Sequence, residues 1–215
     1  MKLNYTYWYF QKALSEKFCD DVISFAKEKQ TKLAMIGDYA GLEKLNKKEI
    51  KDLKKVRDSN IVFLDEPWIA REFMGFAHEA NKRAGWNFDF DSYESIQFTK
   101  YKKNQFYGWH QDSFKGPRVS KNKMLDGKIR KISMTFSLSD PKKYKGGELE
   151  LDFGRKGNKN TSSIKVDKPF NTKRGSIIFF PSFVWHRVKP VTKGTRYSLV
   201  CWICLVFLKK INIAL

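Results

Sequence analysis

The sequence predicts an α+β fold, a double-stranded β-helix (jelly-roll) core buttressed by N-terminal helices. Three observations carry this. Apolar residues recur at helical spacing through the first third of the chain, and the period changes to two from Ser92 onward. After that point short strand-like runs are punctuated by Gly, Pro and Asn. Finally, His110 and Asp112 could share one ion with His186, which lies far from them in the chain. A barrel that gathers distant strand ends at one mouth would let them meet. The 215 residues suffice for a single domain with its own core, helical over about 1–90 and jelly-roll over about 91–208.

Taken in order, the aromatic run Tyr5 to Phe10 reads as an opening strand. Ser15 begins a helix, with Phe18, Val22, Phe25 and Ala26 on one face. Residues 31–60 are poorly periodic, a pattern typical of a binding loop, with a short charged helix expected around Lys47–Lys55. Val56 to Leu64 turns into a strand. Pro67 suits the first position of a second helix, which runs to Ala84 and is closed by Gly85. Its apolar face is Ile69, Phe73, Phe76, Ala77 and Ala80, and His78 falls on the opposite side.

Strands are then expected at Tyr93–Tyr101, Ile132–Leu138, Glu148–Phe153, Ile164–Val166, Ser176–Phe180, Val184–Val188 and Tyr197–Phe207. Residues 113–128 form a basic loop with Gly and Pro breakers, placed to close over a bound substrate. The Cys201-x-x-Cys204 pair lies in an apolar strand rather than at a helix start. Its thiols are expected to be buried, structural and on opposite faces.

The N-terminus lacks the apolar segment of a signal peptide. The longest apolar run, Leu199 to Leu208, is too short to span a bilayer. A soluble intracellular protein is therefore expected. The formal net charge is +19, yet the lysines are scattered along the whole chain without an Arg-aromatic binding motif. That distribution favours a solvated basic surface over a nucleic-acid site.

His110-x-Asp112 with a late His186 supplies the ligand set of a 2-His-1-carboxylate facial triad, which leaves positions open on a non-haem Fe(II). On an extended strand i and i+2 share a face, so His110 and Asp112 can grip one ion. Arg196, ten residues after His186, precedes the apolar run Tyr197-Ser-Leu-Val. A guanidinium buried there requires an anionic partner, and its planar fork matches a carboxylate.

Further motifs surround these residues: Tyr101, Gln105-Phe-Tyr107, Gly146-Gly147-Glu148-Leu149, and Phe180-Pro181 through His186, Val188, Pro190-Val191 and Gly194 to Arg196. In this combination the chain, over roughly residues 56–207, resembles the Fe(II)/2-oxoglutarate dioxygenase superfamily, in particular its prolyl-4-hydroxylase-like branch. The resemblance implies Fe(II) held by His110, Asp112 and His186, with 2-oxoglutarate bound through Arg196 and Tyr101. It also implies O2 as oxidant, ascorbate as a reductant, and succinate and CO2 as co-products. The substrate would be a proline-containing peptide or protein, with Arg57, Tyr107 and Trp185 as candidate contacts. Two positions depart from the branch pattern. Asn104 replaces a common Gly, and Arg196 stands where collagen-type members usually carry Lys. A nucleic-acid demethylase of the same superfamily is the alternative suggested by the charge. Such enzymes carry a second Arg six residues after the first, where this chain has Trp202. A non-catalytic basic binding module is the other alternative, and the intact triad with Arg196 speaks against it.

Overall fold

The computed structural model describes residues 3–29, 32–34, 46–113, 116–119, 123, 125–152 and 173–206. The element order is β1 (Trp8–Phe10), α1 (Glu16–Glu28), β2 (Lys32–Leu33), α2 (Lys47–Val56), β3 (Arg57–Asp58), β4 (Asn60–Leu64), α3 (Pro67–Arg71), α4 (Met74–Arg83), β5 (Ser92–Tyr93), β6 (Ile96–Tyr101), β7 (Phe106–His110), β8 (Lys128–Ser137), β9 (Tyr144–Gly146), β10 (Leu149–Asp152), β11 (Ile177–Pro181), β12 (Trp185–Val188), β13 (Val191–Gly194) and β14 (Arg196–Val206). Among the described residues eight strands form a large sheet in the order β1-β11-β8-β14-β6-β4-β2, with β5 also paired to β14. Four more form a small sheet, β10-β12-β7-β3, and β13 pairs with β9 in a two-stranded ribbon. The expected strand at Ile164–Val166 lies outside the described residues, as do 35–45 of the first loop and 114–115, 120–122 and 124 of the second.

The large sheet has two differently used faces. On β8, Ile132, Met134 and Phe136 are fully buried towards the helices, as their alternation predicts. Leu199, Cys201 and Ile203 of β14 and Ile96 and Phe98 of β6 join them. Helix α1 supplies Cys19, Val22 and Ala26 to this core, and Phe73, Ala77 and Ala80 come from the α3–α4 segment. Each large apolar side chain buried in this way contributes about 1.5–3 kcal/mol. The opposite parity carries small polar or functional residues: Thr99 and Tyr101, Ser133, Ser198 and Arg196. That face looks towards the small sheet across a second cluster containing Tyr101, Leu149, Leu151, Ile178, Phe180 and Val188. Period two thus sorts one strand into a structural face and a site-facing face.

Local signals set the helix ends. Ser15 caps α1 by accepting the Phe18 N–H at 3.0 Å. Asn46 and Glu49 make a reciprocal capping box on α2. After α4 the Gly85 N–H reaches the Lys82 carbonyl at 3.0 Å and the Trp86 N–H reaches Asn81 at 3.1 Å, with Gly85 at φ +65. This is a Schellman stop, in which glycine takes the left-handed position.

One expectation needs correction. The single helix Pro67–Ala84 is broken after Arg71. The last turn of α3 tightens to i+3 bonds, Glu72 N–H to Ile69 and Phe73 N–H to Ala70. The break lets the Phe73 ring, fully buried, settle against Phe136 at 5.0 Å. The two cysteines keep to opposite faces of β14: Cys201 lies with Leu199 and Ile203 in the core towards the helices, and Cys204 lies outside that cluster. Cys201 Sγ lies 3.4 Å from the Glu94 carbonyl and Cys204 Sγ 3.6 Å from Glu94 Oε1. Both are buried free thiols. Burial, then neighbouring charge, pushes Cys201 well above the usual thiol range and Cys204 up to about 12. Neither is a reactive thiolate at neutral pH. No helix among the described residues is long and apolar enough to cross a membrane.

Candidate metal centre and active site

Strand register brings the two histidines together. His110 on β7 and His186 on β12 are direct cross-strand partners. Two residues further along β12, Val188 pairs with Tyr107, so Gly108 and Trp109 of β7 together oppose the single Arg187 of β12. This one-residue bulge puts Tyr107 and His110 on the same face, where strict alternation would separate them. Their rings stack at 3.5 Å with a 15° interplanar angle. Gly108 sits inside the bulge because a Cβ there would meet the Val56 carbonyl oxygen at 3.0 Å. Asp112 lies two residues past His110, beyond the strand end.

The ligand atoms of His110, Asp112 and His186 all lie within 4.8 Å of one another. His110 Nε2 is 3.6 Å from Asp112 Oδ1, and His186 Nε2 is 3.4 Å from Asp112 Oδ2. Each imidazole has its other nitrogen on a backbone carbonyl: His110 Nδ1 is 2.8 Å from Gly108 O, and His186 Nδ1 is 3.0 Å from Val184 O. Nδ1 therefore carries the proton, and both Nε2 lone pairs face the shared space. A neutral imidazole pair with one carboxylate fits a hard-to-borderline divalent ion with open positions.

The electrostatics agree with that donor set. Burial and the adjacent His186 push His110 down to about 4, so it is neutral at physiological pH. For Asp112 burial alone would raise the pKa, but the two histidines outweigh it and hold the carboxyl well below its usual value. Between pH 6.5 and about 4 the unfolded imidazole takes up a proton that the folded one refuses, so stability falls as pH falls through that window. The loss from His110 is roughly 3 kcal/mol. Urea midpoints of the metal-free protein at pH 7 and pH 4.5 should show it, with a smaller acid loss in His110→Gln than in the wild type.

Behind the cluster, Arg196 begins β14 in register with Tyr101 of β6. Arg196 is only 3% exposed. Its guanidinium donates to Ser198 Oγ at 3.1 Å and lies 5.5 Å from the Tyr101 ring centre. Among the described residues it has no acidic partner. Gly147, at φ +69, makes room for it, since a Cβ would fall 2.9 Å from Arg196 Cδ. A buried cation with this surrounding suits an incoming carboxylate.

The weaker sequence candidates separate. Arg57 is buried, in register with Tyr107, and its guanidinium lies 4.3 Å over the Tyr107 ring. Tyr107 is half-buried, and burial pushes its phenol up to about 12, so it stays a hydroxyl. Trp185 alternates onto the face of β12 opposite His186. His78 is exposed and packs on Phe90 at 4.6 Å, away from the cluster. Asn104 takes the left-handed conformation, φ +68, and its N–H reaches the Val191 carbonyl at 2.7 Å. Asn is among the few non-glycine residues that tolerate this turn.

Three residues that sequence reasoning missed complete the surroundings. Ser133 Oγ donates to Asp112 Oδ2 at 2.7 Å, Arg130 Nη1 reaches the Asp112 carbonyl at 3.3 Å, and Glu94 grips Arg130 with both oxygens at 2.6 Å. The available signal was parity: Ser133 is a polar residue between buried Ile132 and Met134 in an alternating strand.

Comparison with known proteins matches residues 96–204 to the family model of the 2OG-Fe(II) oxygenase superfamily, about half of the chain. The chain belongs to that superfamily. Its resemblance is to the prolyl 4-hydroxylase-like members. A PKHD-type hydroxylase of Pseudoalteromonas atlantica is 35% identical over 109 residues, covering 50% of this chain and 41% of that protein. Another, from Xanthomonas campestris pv. campestris, is 31% identical over 143 residues, covering 65% and 57%. The matched segments thus span only about half the length of these curated relatives. Among solved structures, a viral collagen prolyl hydroxylase from Paramecium Bursaria Chlorella virus-1 aligns with a TM-score of 0.61 at 20% identity, over 94% of this chain and 97% of that one. A Trichoplax adhaerens prolyl hydroxylase, solved with a hypoxia inducible factor peptide fragment, aligns at 0.63 and 16%, over 92% and 83%. At these identities the likeness is one of fold, the double-stranded β-helix.

Proposed function

We propose that this chain forms one catalytic domain, an Fe(II)- and 2-oxoglutarate-dependent dioxygenase that hydroxylates proline in a peptide or protein substrate. The observation that carries the reading is the convergence of His110 Nε2, His186 Nε2 and the Asp112 carboxylate within 4.8 Å, with the buried Arg196, which has no acidic partner among the described residues, beside Tyr101 on the same inner face. His110, Asp112 and His186 would hold Fe(II) and leave three positions open. Bound there, Fe(II) with 2-oxoglutarate and O2 supplies the oxidising power to place oxygen on an unactivated carbon, with succinate and CO2 as co-products. Arg196 would take the distal carboxylate of 2-oxoglutarate, and the apolar walls Leu149, Leu151, Ile178 and Val188 would exclude water around it. Tyr101 would steady the cosubstrate near the metal. Ascorbate, as a reductant, belongs to this reading by resemblance.

For the substrate, Tyr107 and Arg57 are the candidate contacts: the His110 ring and the Arg57 guanidinium cover the Tyr107 ring, which leaves its edge and hydroxyl to meet a pyrrolidine. A proline-rich strand is already extended and loses little entropy on docking. The net charge of +19 supports one competitor, demethylation of alkylated nucleic acid. Where such enzymes carry a second Arg this chain has Trp202, which is buried with the Arg130 guanidinium 3.9 Å from its ring.

A direct comparison separates the two. Proline-rich peptides and alkylated single-stranded DNA are incubated with Fe(II), 2-oxoglutarate and the protein, and products are read by mass spectrometry. One added oxygen on proline, at a rate that falls with rising salt for acidic peptides, is the expected result. Reaction of the DNA alone would replace the prolyl reading with the demethylase.

A further inference from the structure

Asp112 stands past the end of β7, so no sheet ladder sets its position. Three bonds do so instead. Its N–H donates to the Ser182 carbonyl at 3.0 Å, its carbonyl receives Arg130 Nη1 at 3.3 Å, and its Oδ2 receives the Ser133 hydroxyl at 2.7 Å. Of these, only the Ser133 bond acts on the carboxylate itself.

The geometry points to Ser133 as a positioning residue that fixes the rotation of the Asp112 carboxylate and commits Oδ2, leaving Oδ1 as the ligand atom. Ser133 is fully buried. It sits on β8, paired on one side with Phe180 of β11 and on the other with Trp202 of β14, so its backbone is held by both neighbours. Its single proton goes to the charged acceptor, the stronger of its two contacts. The Ser182 hydroxyl, 2.9 Å away and also fully buried, then donates to Ser133 and fixes its rotamer. The chain Ser182 → Ser133 → Asp112 Oδ2 is thus a buried relay of short bonds ending on one carboxylate oxygen. Oδ1, 3.6 Å from His110 Nε2, takes no part in it.

The consequence is chemical. A carboxylate free to turn can hold an ion through both oxygens, which would occupy one of the positions that cosubstrate and O2 need. Tethering Oδ2 keeps the grip to one oxygen and three positions open. Ser133 touches neither substrate nor metal in this account and acts only through Asp112.

This inference rests on the metal-centre reading, and the test keeps the two apart. Co(II) is titrated into the metal-free protein without cosubstrate, reading both affinity and the d–d absorption spectrum, which reports coordination number. Wild type, Ser133→Ala, Ser133→Thr and Ser139→Ala are compared. Ser139 is another buried serine, whose Oγ accepts the Tyr197 N–H at 2.6 Å away from the cluster. Ser133→Ala is expected to bind Co(II) about 10–100-fold more weakly with an altered spectrum. Ser133→Thr, which keeps the hydroxyl on a β-compatible residue, should restore both. Ser139→Ala should match the wild type, separating coordination from general loss of stability. Wild-type affinity and spectrum in Ser133→Ala would overturn the inference, as would an equal loss in Ser139→Ala. Failure of the wild type to bind Co(II) would overturn the metal-centre reading and this inference with it.

Discussion

Replacing Asp112 by alanine is expected to abolish turnover and to weaken Fe(II) binding by well over a hundredfold. Loss of a mere supporting contact to a metal ligand already costs about 10–100-fold, and here the ligand itself goes. The geometry explains why no neighbour can substitute. His110 and His186 present one nitrogen each, because Gly108 and Val184 carbonyls occupy the others. Without Asp112 the centre has no anionic donor among the described residues, and Ser133 and Arg130, which held Asp112, contribute nothing to the ion. His110→Ala should behave in the same way. It also removes the ring that Tyr107 stacks on, so a loss of packing is added. Isothermal titration with Mn(II) or Co(II) and a 2-oxoglutarate turnover assay check both variants. His78→Ala is the internal control: its exposed ring lies outside the cluster, and activity should be unchanged. Full activity in Asp112→Ala or His110→Ala would sink the ligand assignment.

Arg196→Ala should raise the KM for 2-oxoglutarate by two to four orders of magnitude while metal binding survives. Removing one member of a buried, hydrogen-bonded ion pair costs about 3–5 kcal/mol, and each 1.4 kcal/mol is about tenfold. Before the cosubstrate arrives, the guanidinium has, among the described residues, the Ser198 hydroxyl and the face of Tyr101 and no acidic partner. The incoming carboxylate is therefore the group that satisfies it, and this gain is what the variant loses. Arg196→Lys keeps a charge but not the two-pronged fork, and an intermediate KM is expected. A second readout avoids turnover altogether. Excess 2-oxoglutarate should raise the melting temperature of the wild type, since it binds only the folded state, and should do so far less for Arg196→Ala. A KM within about threefold of wild type, under 1 kcal/mol, would rule the role out.

Local chemistry along the chain determined a good deal of this protein. Ser15 and Gly85 mark where helical segments begin and end, because capping depends on atoms three or four residues away. Ile132, Met134 and Phe136 announce a buried strand face for the same reason: a pleat returns to its side every second residue. His110-x-Asp112 with a late His186 named the cluster, since so few side chains can supply that donor set.

Tertiary structure decided the rest wherever a partner distant in sequence sets the geometry. The bulge in β7 exists only against β12, and it alone puts Tyr107 and His110 on one face. The shift at Ile203/Cys204 exists only against β8, where one extra residue separates the partners Ile132 and Arg130. The break before Met74 answers the Phe136 ring, which comes from a strand more than fifty residues away. β9 and β13 are strands only because they pair with each other, as Lys145 opposite Lys193 carries no apolar alternation to announce them. Ser133 reads as an ordinary strand serine until Asp112 is brought to 2.7 Å. Periodicity encodes the direction of a side chain relative to its own strand or helix. Register and bulges depend on hydrogen bonds to another strand, and no local pattern carries that information.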